Sequence, residues 1–152
     1  LRNNMLTSTS GEAIIAHRFK DYEPWKGALP GRINGVMISM EKGKSTAYSM
    51  NKLEDRGKFF IDEGTEIYTG QIIGEHIRPG DIVVNVVRAK QLTNMRATGS
   101  DENIRLTPKI DFSLEEAMEY IEKDEYIEVT PKAIRMRKII LDENERKRAS
   151  KN

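Results

Sequence analysis

The chain has 152 residues, 38% of them apolar and 32% charged, and its 25 basic side chains against 24 acidic ones give a formal net charge of +1. That balance excludes a disordered tail and a fibrous repeat, and the longest apolar stretches, such as residues 82–84, fall far short of the roughly 20 residues that a membrane helix requires. With no cysteine and only His17 and His76, the sequence offers no disulfide, thiolate metal site, cysteine nucleophile or histidine-rich metal centre, and it fits a cytoplasmic protein.

Residues 1–22 read as a polar lead-in followed by one short strand over residues 12–18. One strand cannot fold alone, so this segment is expected to be the tail of a preceding domain. The first residue, Leu1, likewise reads as a cut from a longer protein, with any catalytic centre upstream. Gly27, Pro30 and Gly31 around the lone Trp25 mark a boundary, and a second domain is expected over residues 23–152. Its opening alternates around Val36 and Ile38, turns at Gly43 and resumes an extended pattern over residues 45–48, which predicts a hairpin. A short helix should follow through Leu53 and Arg56, stopped by Gly57.

Strands are predicted at residues 58–61, 71–77 and 82–87, the last two joined through Arg78-Pro79-Gly80-Asp81 as an antiparallel pair. After Val87 the chain keeps neither helical nor strand period for about 15 residues, and long polar loops in compact domains usually carry function or disorder. Ser113 with Glu116 forms the sequence of a capping box. It opens a helix over residues 113–123 with Leu114, Ala117, Met118 and Ile121 as its apolar stripe. Strands at residues 126–130 and 134–138 and a polar helix from Asp142 complete the chain. The expected class is α+β: two or three helices on a mixed, largely antiparallel sheet with room for barrel-like closure.

Few residues suggest chemistry. Gly43-Lys44-Ser45 has the ending of a phosphate-binding loop, but Ile38 stands where the motif needs its first glycine, and the tripeptide joins two predicted strands. The acidic residues between Asp111 and Glu128 read as a solvated helix face, which offers no burial to shift a carboxyl. The basic residues are more informative because they are segregated. Arg88, Lys90 and Arg96 share the long loop with Gln91, Thr93 and Asn94, and Arg135, Arg137 and Lys138 share the strand after Pro131. Such cations attract RNA phosphates, while the amides and hydroxyls can bond sugar and base edges. The same charges also suit a solubilising surface or a face for an acidic protein.

Several long stretches, in one order, resemble a known family: Gly31-Arg32-Ile33-Asn34-Gly35, Asp55-Arg56-Gly57-Lys58-Phe59-Phe60-Ile61, Tyr68-Thr69-Gly70-Gln71-Ile72-Ile73-Gly74-Glu75-His76, Lys90-Gln91-Leu92-Thr93-Asn94-Met95-Arg96-Ala97 and Glu128-Val129-Thr130-Pro131-Lys132. Together they are similar to the C-terminal domain of the BipA/TypA family of ribosome-associated translational GTPases. The lead-in resembles the last strand of a ferredoxin-like domain of the elongation factor G domain V type.

The resemblance implies a module that hydrolyses nothing itself, with GTP and magnesium held by an upstream domain and no cofactor here. Its implied partners are large-subunit ribosomal RNA, the acceptor end of the A-site tRNA and the parent's upstream domains. It implies no membrane contact, and the chain is expected to be a monomer. RNA contact carries over to Arg88, Lys90, Thr93, Asn94 and Arg96, then to His76, Arg78 and Lys109. The family's paired lysines are Lys90 and Gln91 here, and its preceding glycine is Ala89, so Gln91 is expected to hydrogen bond rather than pair with phosphate. The alternative is a protein-interaction module whose basic surface meets an acidic partner or the parent's other domains.

Overall fold

A computed structural model describes residues 12–25, 32–89 and 105–150, together with residues 5, 9 and 27. In chain order these form β1 (Val36–Ser39), β2 (Gly43–Lys44), α1 (Ala47–Asn51), a 3-10 turn (Glu54–Arg56), β3 (Gly57–Phe59), β4 (Glu66–Ile67), β5 (Gln71–His76), β6 (Ile82–Val84), α2 (Leu114–Tyr120), β7 (Glu125–Val129), β8 (Ile134–Lys138) and α3 (Glu143–Ala149). The class is α+β. The main sheet has the order β6-β1-β5-β8-β7, with β3 also on β5, while β2 and β4 pair as a separate ribbon. Only the β1–β6 pairing in that sheet is parallel. It ends at β6 and β7 and does not close into a barrel.

β5 organises the fold. One of its edges is taken by β1, with Val36 opposite Glu75 and Ile38 opposite Ile72. Two strands share the other edge in succession: β8 meets Gln71 and Ile72, and β3 meets Gly74, Glu75 and His76. The sheet therefore forks where β3 ends and β8 begins. Close pairing at the fork requires Gly57, since a Cβ there would stand 1.8 Å from the carbonyl oxygen of Glu75.

Strand alternation sends neighbouring side chains to opposite faces, and both faces are covered. Met37, Phe59 and Ile73 pack with Met50, Ile61, Ile67, Val84 and Val86 on one side. Val36, Ile38, Ile72 and Met136 pack beneath Ala117 of α2 on the other, beside an aromatic group of Phe60, Phe112 and Tyr120. Each such side chain contributes about 1.5–3 kcal/mol when fully buried.

The structure departs from the sequence reading in four places. The predicted hairpin over residues 34–48 does not form, because the Thr46 side chain accepts from the Ser49 amide and turns the chain into α1; β2 pairs instead with the unforeseen β4. β6 is not the antiparallel partner of β5. The Arg78 carbonyl accepts from Gly35 and the Asp81 carboxylate from Val36, so the turn docks on the start of β1 and delivers β6 parallel to that strand. The expected strand over residues 12–18 has no regular structure and, among the described residues, no neighbouring strand, and Ile14 is 98% exposed. On α2 the capping box is present, but Met118 is 64% exposed and only Ala117 of the predicted stripe is fully buried, since the sheet meets that helix along a narrow line.

Candidate nucleic-acid interface

Lys90, Gln91, Thr93, Asn94 and Arg96 lie outside the described residues, but the base from which that segment leaves is well defined. The carbonyl of Arg88 accepts from the hydroxyls of both Thr46 and Ser49, at 2.7 and 2.6 Å, while the Arg88 side chain is exposed. On the returning side the amide of Thr107 donates to Glu54, and Leu106 packs against the first core cluster. Both ends are thus held through backbone groups, and among the described residues the Arg88 side chain has no ion pair. Nearby on α1, the Lys52 amine sits 4.2 Å from the centre of the Tyr48 ring, which makes Tyr48 a covered, half-buried surface ring rather than a core residue.

A second group of candidates meets at the fork. Between the end of β3 with residues 109–112 and the start of β8 with its hairpin turn lies a groove of about 500 Å³. Lys109 lines one wall and Lys132 and Arg135 the other. The Lys109 amine pairs with Asp62 and Asp111 at 2.9 and 3.0 Å, and hydrogen bonds to these carboxylates raise its pKa above the ordinary lysine value. Its charge is balanced locally. Arg137 is balanced too: its Nε donates to Glu128 at 2.7 Å and its guanidinium lies over the Tyr126 ring. Glu128 also accepts from the Tyr68 hydroxyl, and burial followed by this hydrogen bond pushes the Tyr68 pKa up.

Lys138 stands apart from the surface that the sequence reading gave it. Its side chain is 3% exposed, and its amine pairs with Asp81, Asp124 and Glu125 at 2.6, 2.8 and 2.9 Å. Burial alone would lower its pKa, but the three carboxylates outweigh that and raise it to about 12. Alternation on β8 explains the error, since Lys138 shares the inward face with Met136. His76 is also unavailable: it is 9% exposed and its Nδ1 donates to the Gly80 carbonyl at 2.8 Å. Arg78 is exposed beside it, at the opposite end of β5 from the groove. Among the described residues the candidate cations thus occupy separate places.

Sequence reasoning missed Arg32 and Glu125. Glu125, counted among solvated acids, is 3% exposed and receives both terminal nitrogens of Arg32 at 2.8 and 3.1 Å. Burial would raise its pKa, but hydrogen bonds from Arg32 and Lys138 hold it below the ordinary carboxylate range. Arg32 also donates to the carbonyls of Asn34 and Tyr120 and lies over the Tyr120 ring. The one available signal was the register of the β7–β8 hairpin, which places Glu125 directly opposite Lys138.

Gly43-Lys44-Ser45 does not cradle phosphate: the first two residues form β2, and the Ser45 hydroxyl donates to the Asp62 carbonyl. Among the described residues no group of three or more carboxylates and histidines is arranged to hold a metal ion, and no helix is long and apolar enough to cross a membrane.

A family model described as the TypA/BipA C-terminal domain matches residues 34–143. The chain is 48% identical over 147 residues to the large ribosomal subunit assembly factor BipA of Bacillus subtilis, an alignment covering 96% of this chain and 24% of that protein. It is 48% identical over 151 residues to the factor of the same name from Haemophilus influenzae, covering 99% and 24%. With the Synechocystis factor the identity is 49% over 138 residues, covering 91% and 23%. The chain therefore spans about a quarter of the length of the curated relatives it matches.

Proposed function

The chain belongs to the TypA/BipA C-terminal domain family, and from that premise we propose that it is the ribosome-binding module of a translational GTPase. The segment that leaves at Arg88 contacts ribosomal RNA and the acceptor end of the A-site tRNA through Arg88, Lys90, Gln91, Thr93, Asn94 and Arg96. GTP and magnesium belong to the upstream part of the parent. The module contributes binding energy and position, and no bond-making step. The observation that carries the reading is the clamped base: Thr46 and Ser49 hold the Arg88 carbonyl, and Glu54 holds the Thr107 amide. Anchored ends fix where the segment leaves and rejoins the fold, and the relatives' name as large-subunit assembly factors supports ribosomal RNA as the target.

The test is co-sedimentation of the chain with purified ribosomes across a salt series, beside the variant R88A/K90A/R96A. Binding should fall steeply with salt, and the log–log slope should flatten by about 2 to 3 in the variant. Equal binding by both proteins at every salt concentration would reject the segment as the contact.

The exposed lead-in favours a further protein contact. Phe19, Tyr22 and Trp25 are 72%, 89% and 84% exposed, an apolar series better suited to packing on a preceding domain than to solvent. In this reading residues 1–22 complete that ferredoxin-like domain and Trp25 sits between the two.

A further inference from the structure

At the groove where the sheet forks, two of the three lining cations have no counterion among the described residues. Arg135 is half-buried and lines the groove, yet among the described residues its side chain makes no ion pair or hydrogen bond; its cross-strand neighbour Glu128 is engaged by Arg137 and Tyr68. Lys132, on the same wall, is also without an ion pair among the described residues. The turn that carries it is held in one shape: the Thr130 amide and hydroxyl donate to the Ala133 carbonyl, and the Ala133 amide donates back to the Thr130 hydroxyl.

The acidic residues of the groove are already committed, since Asp62 and Asp111 both hold Lys109. At its base lies Gln71, 2% exposed, whose carboxamide oxygen accepts from the Tyr68 amide while no described acceptor takes its amide nitrogen. The remaining lining holds Thr65 and Thr130 beside apolar side chains, among them the edge-to-face rings of Phe60 and Phe112 and the side chain of Ile134.

Half-burying a guanidinium removes water that no carboxylate here replaces, so the site is completed by an anion from outside. The anion must also bring a flat apolar part to meet the aromatic floor, and the volume lies within the roughly 300–1,000 Å³ range of small-ligand sites. We propose that this groove binds an unpaired nucleotide of single-stranded RNA, its phosphate held by Arg135 and Lys132, its base placed on Phe112 and Ile134, and a base acceptor met by the Gln71 amide. A duplex cannot enter, because its bases are stacked and its edges lie within grooves. The inference rests on the ribosomal RNA reading above but concerns a separate contact, made by residues other than those of the clamped segment.

The experiment measures binding of the 152-residue chain to a fluorescent oligouridylate and to a duplex of equal length over a salt series. K132A/R135A and R88A/K90A/R96A are compared with the parent chain. 4-Thiouridine in the single strand maps the contact by crosslinking. The single strand should be preferred, crosslinks should fall within residues 109–112 or 134–136, and K132A/R135A should bind roughly tenfold more weakly with a slope flatter by about 1.4. Thermal unfolding of that variant should match the parent, and R135K should recover part of the binding. If K132A/R135A keeps the parent affinity and slope while the chain still sediments with ribosomes, the groove proposal falls and the ribosomal reading stands. If neither RNA nor ribosomes bind, both fall. Preference for polyglutamate over oligouridylate would replace the nucleotide with an acidic peptide and overturn the proposal.

Discussion

Arg135 and Lys138 stand on one strand, both cationic, and the fold treats them oppositely. Lys138 points inward with Met136 and meets three carboxylates drawn from the end of the turn before β6, from the residue before β7 and from β7 itself. Arg135 points the other way and lines the groove at the fork with no counterion among the described residues. Counting basic residues along the strand gives both the same weight. Topology separates them, because it decides where carboxylates from distant parts of the chain converge. A buried cation with its carboxylates is architecture, and a half-buried one without them is a candidate for binding.

The largest expected effect tests that division directly. Lys138→Ala leaves Glu125 buried with Arg32 as its remaining cation and should cost about 3–5 kcal/mol, whereas Arg135→Ala should stay within about 0.5 kcal/mol. Urea denaturation midpoints at neutral pH decide it. Similar midpoints for the two variants would erase the distinction between the ends of β8.

Acid titration should expose the same network with a smaller effect. The Glu125 carboxyl is held below its ordinary pKa, so its contribution is complete above the unfolded value of about 4.3 and is lost as pH falls through the lower folded value. Lys138 is raised to about 12, so its contribution is complete below the unfolded value of about 10.4 and is lost as pH rises through the folded one. Stability should therefore be insensitive to these groups between about pH 5 and 10. Glu125→Gln should be less stable across that window, by about 1–3 kcal/mol, and should show a shallower decline below pH 4. An acid limb of the parent's steepness in this variant would assign the acid sensitivity to other carboxylates.

What the sequence revealed follows how local each determinant is. The α2 cap was readable because Ser113 and Glu116 lie three residues apart and bond each other's backbone, at 3.2 and 2.9 Å. β5, β7 and β8 were readable from composition and turn residues. The place of β6 was not, because it depends on Gly35 and Val36 receiving the turn at Arg78 and Asp81, a contact between residues far apart in the chain. Glu125 was lost for the same reason: an acid in an acidic stretch looks solvated until Arg32 arrives from the start of the domain. Of the proposed contacts, the polar segment stood out in composition, but the groove exists only once β3 and β8 share an edge of β5.

Between these extremes lies the helix that covers the Lys138 side of the hairpin. Ser113→Ala removes the acceptor for the Glu116 amide and should cost about 1 kcal/mol, seen as a lowered midpoint with an unchanged denaturant slope. A changed slope would mean that α2 unfolds separately from the sheet. That would weaken the view of Lys138 as enclosed by one cooperative structure.

The smallest effect belongs to the clamped base. It is the backbone carbonyl of Arg88, not its guanidinium, that joins Thr46 and Ser49, so Arg88→Ala should leave both hydrogen bonds and change stability by less than about 0.5 kcal/mol. Thr46→Ala removes the cap of α1 as well as one bond to that carbonyl and should cost about 1 kcal/mol by thermal or urea unfolding. If Arg88→Ala proved the more damaging of the two, its side chain would be part of the fold. Arg88 would then join Lys138 among the cations that the structure uses for itself.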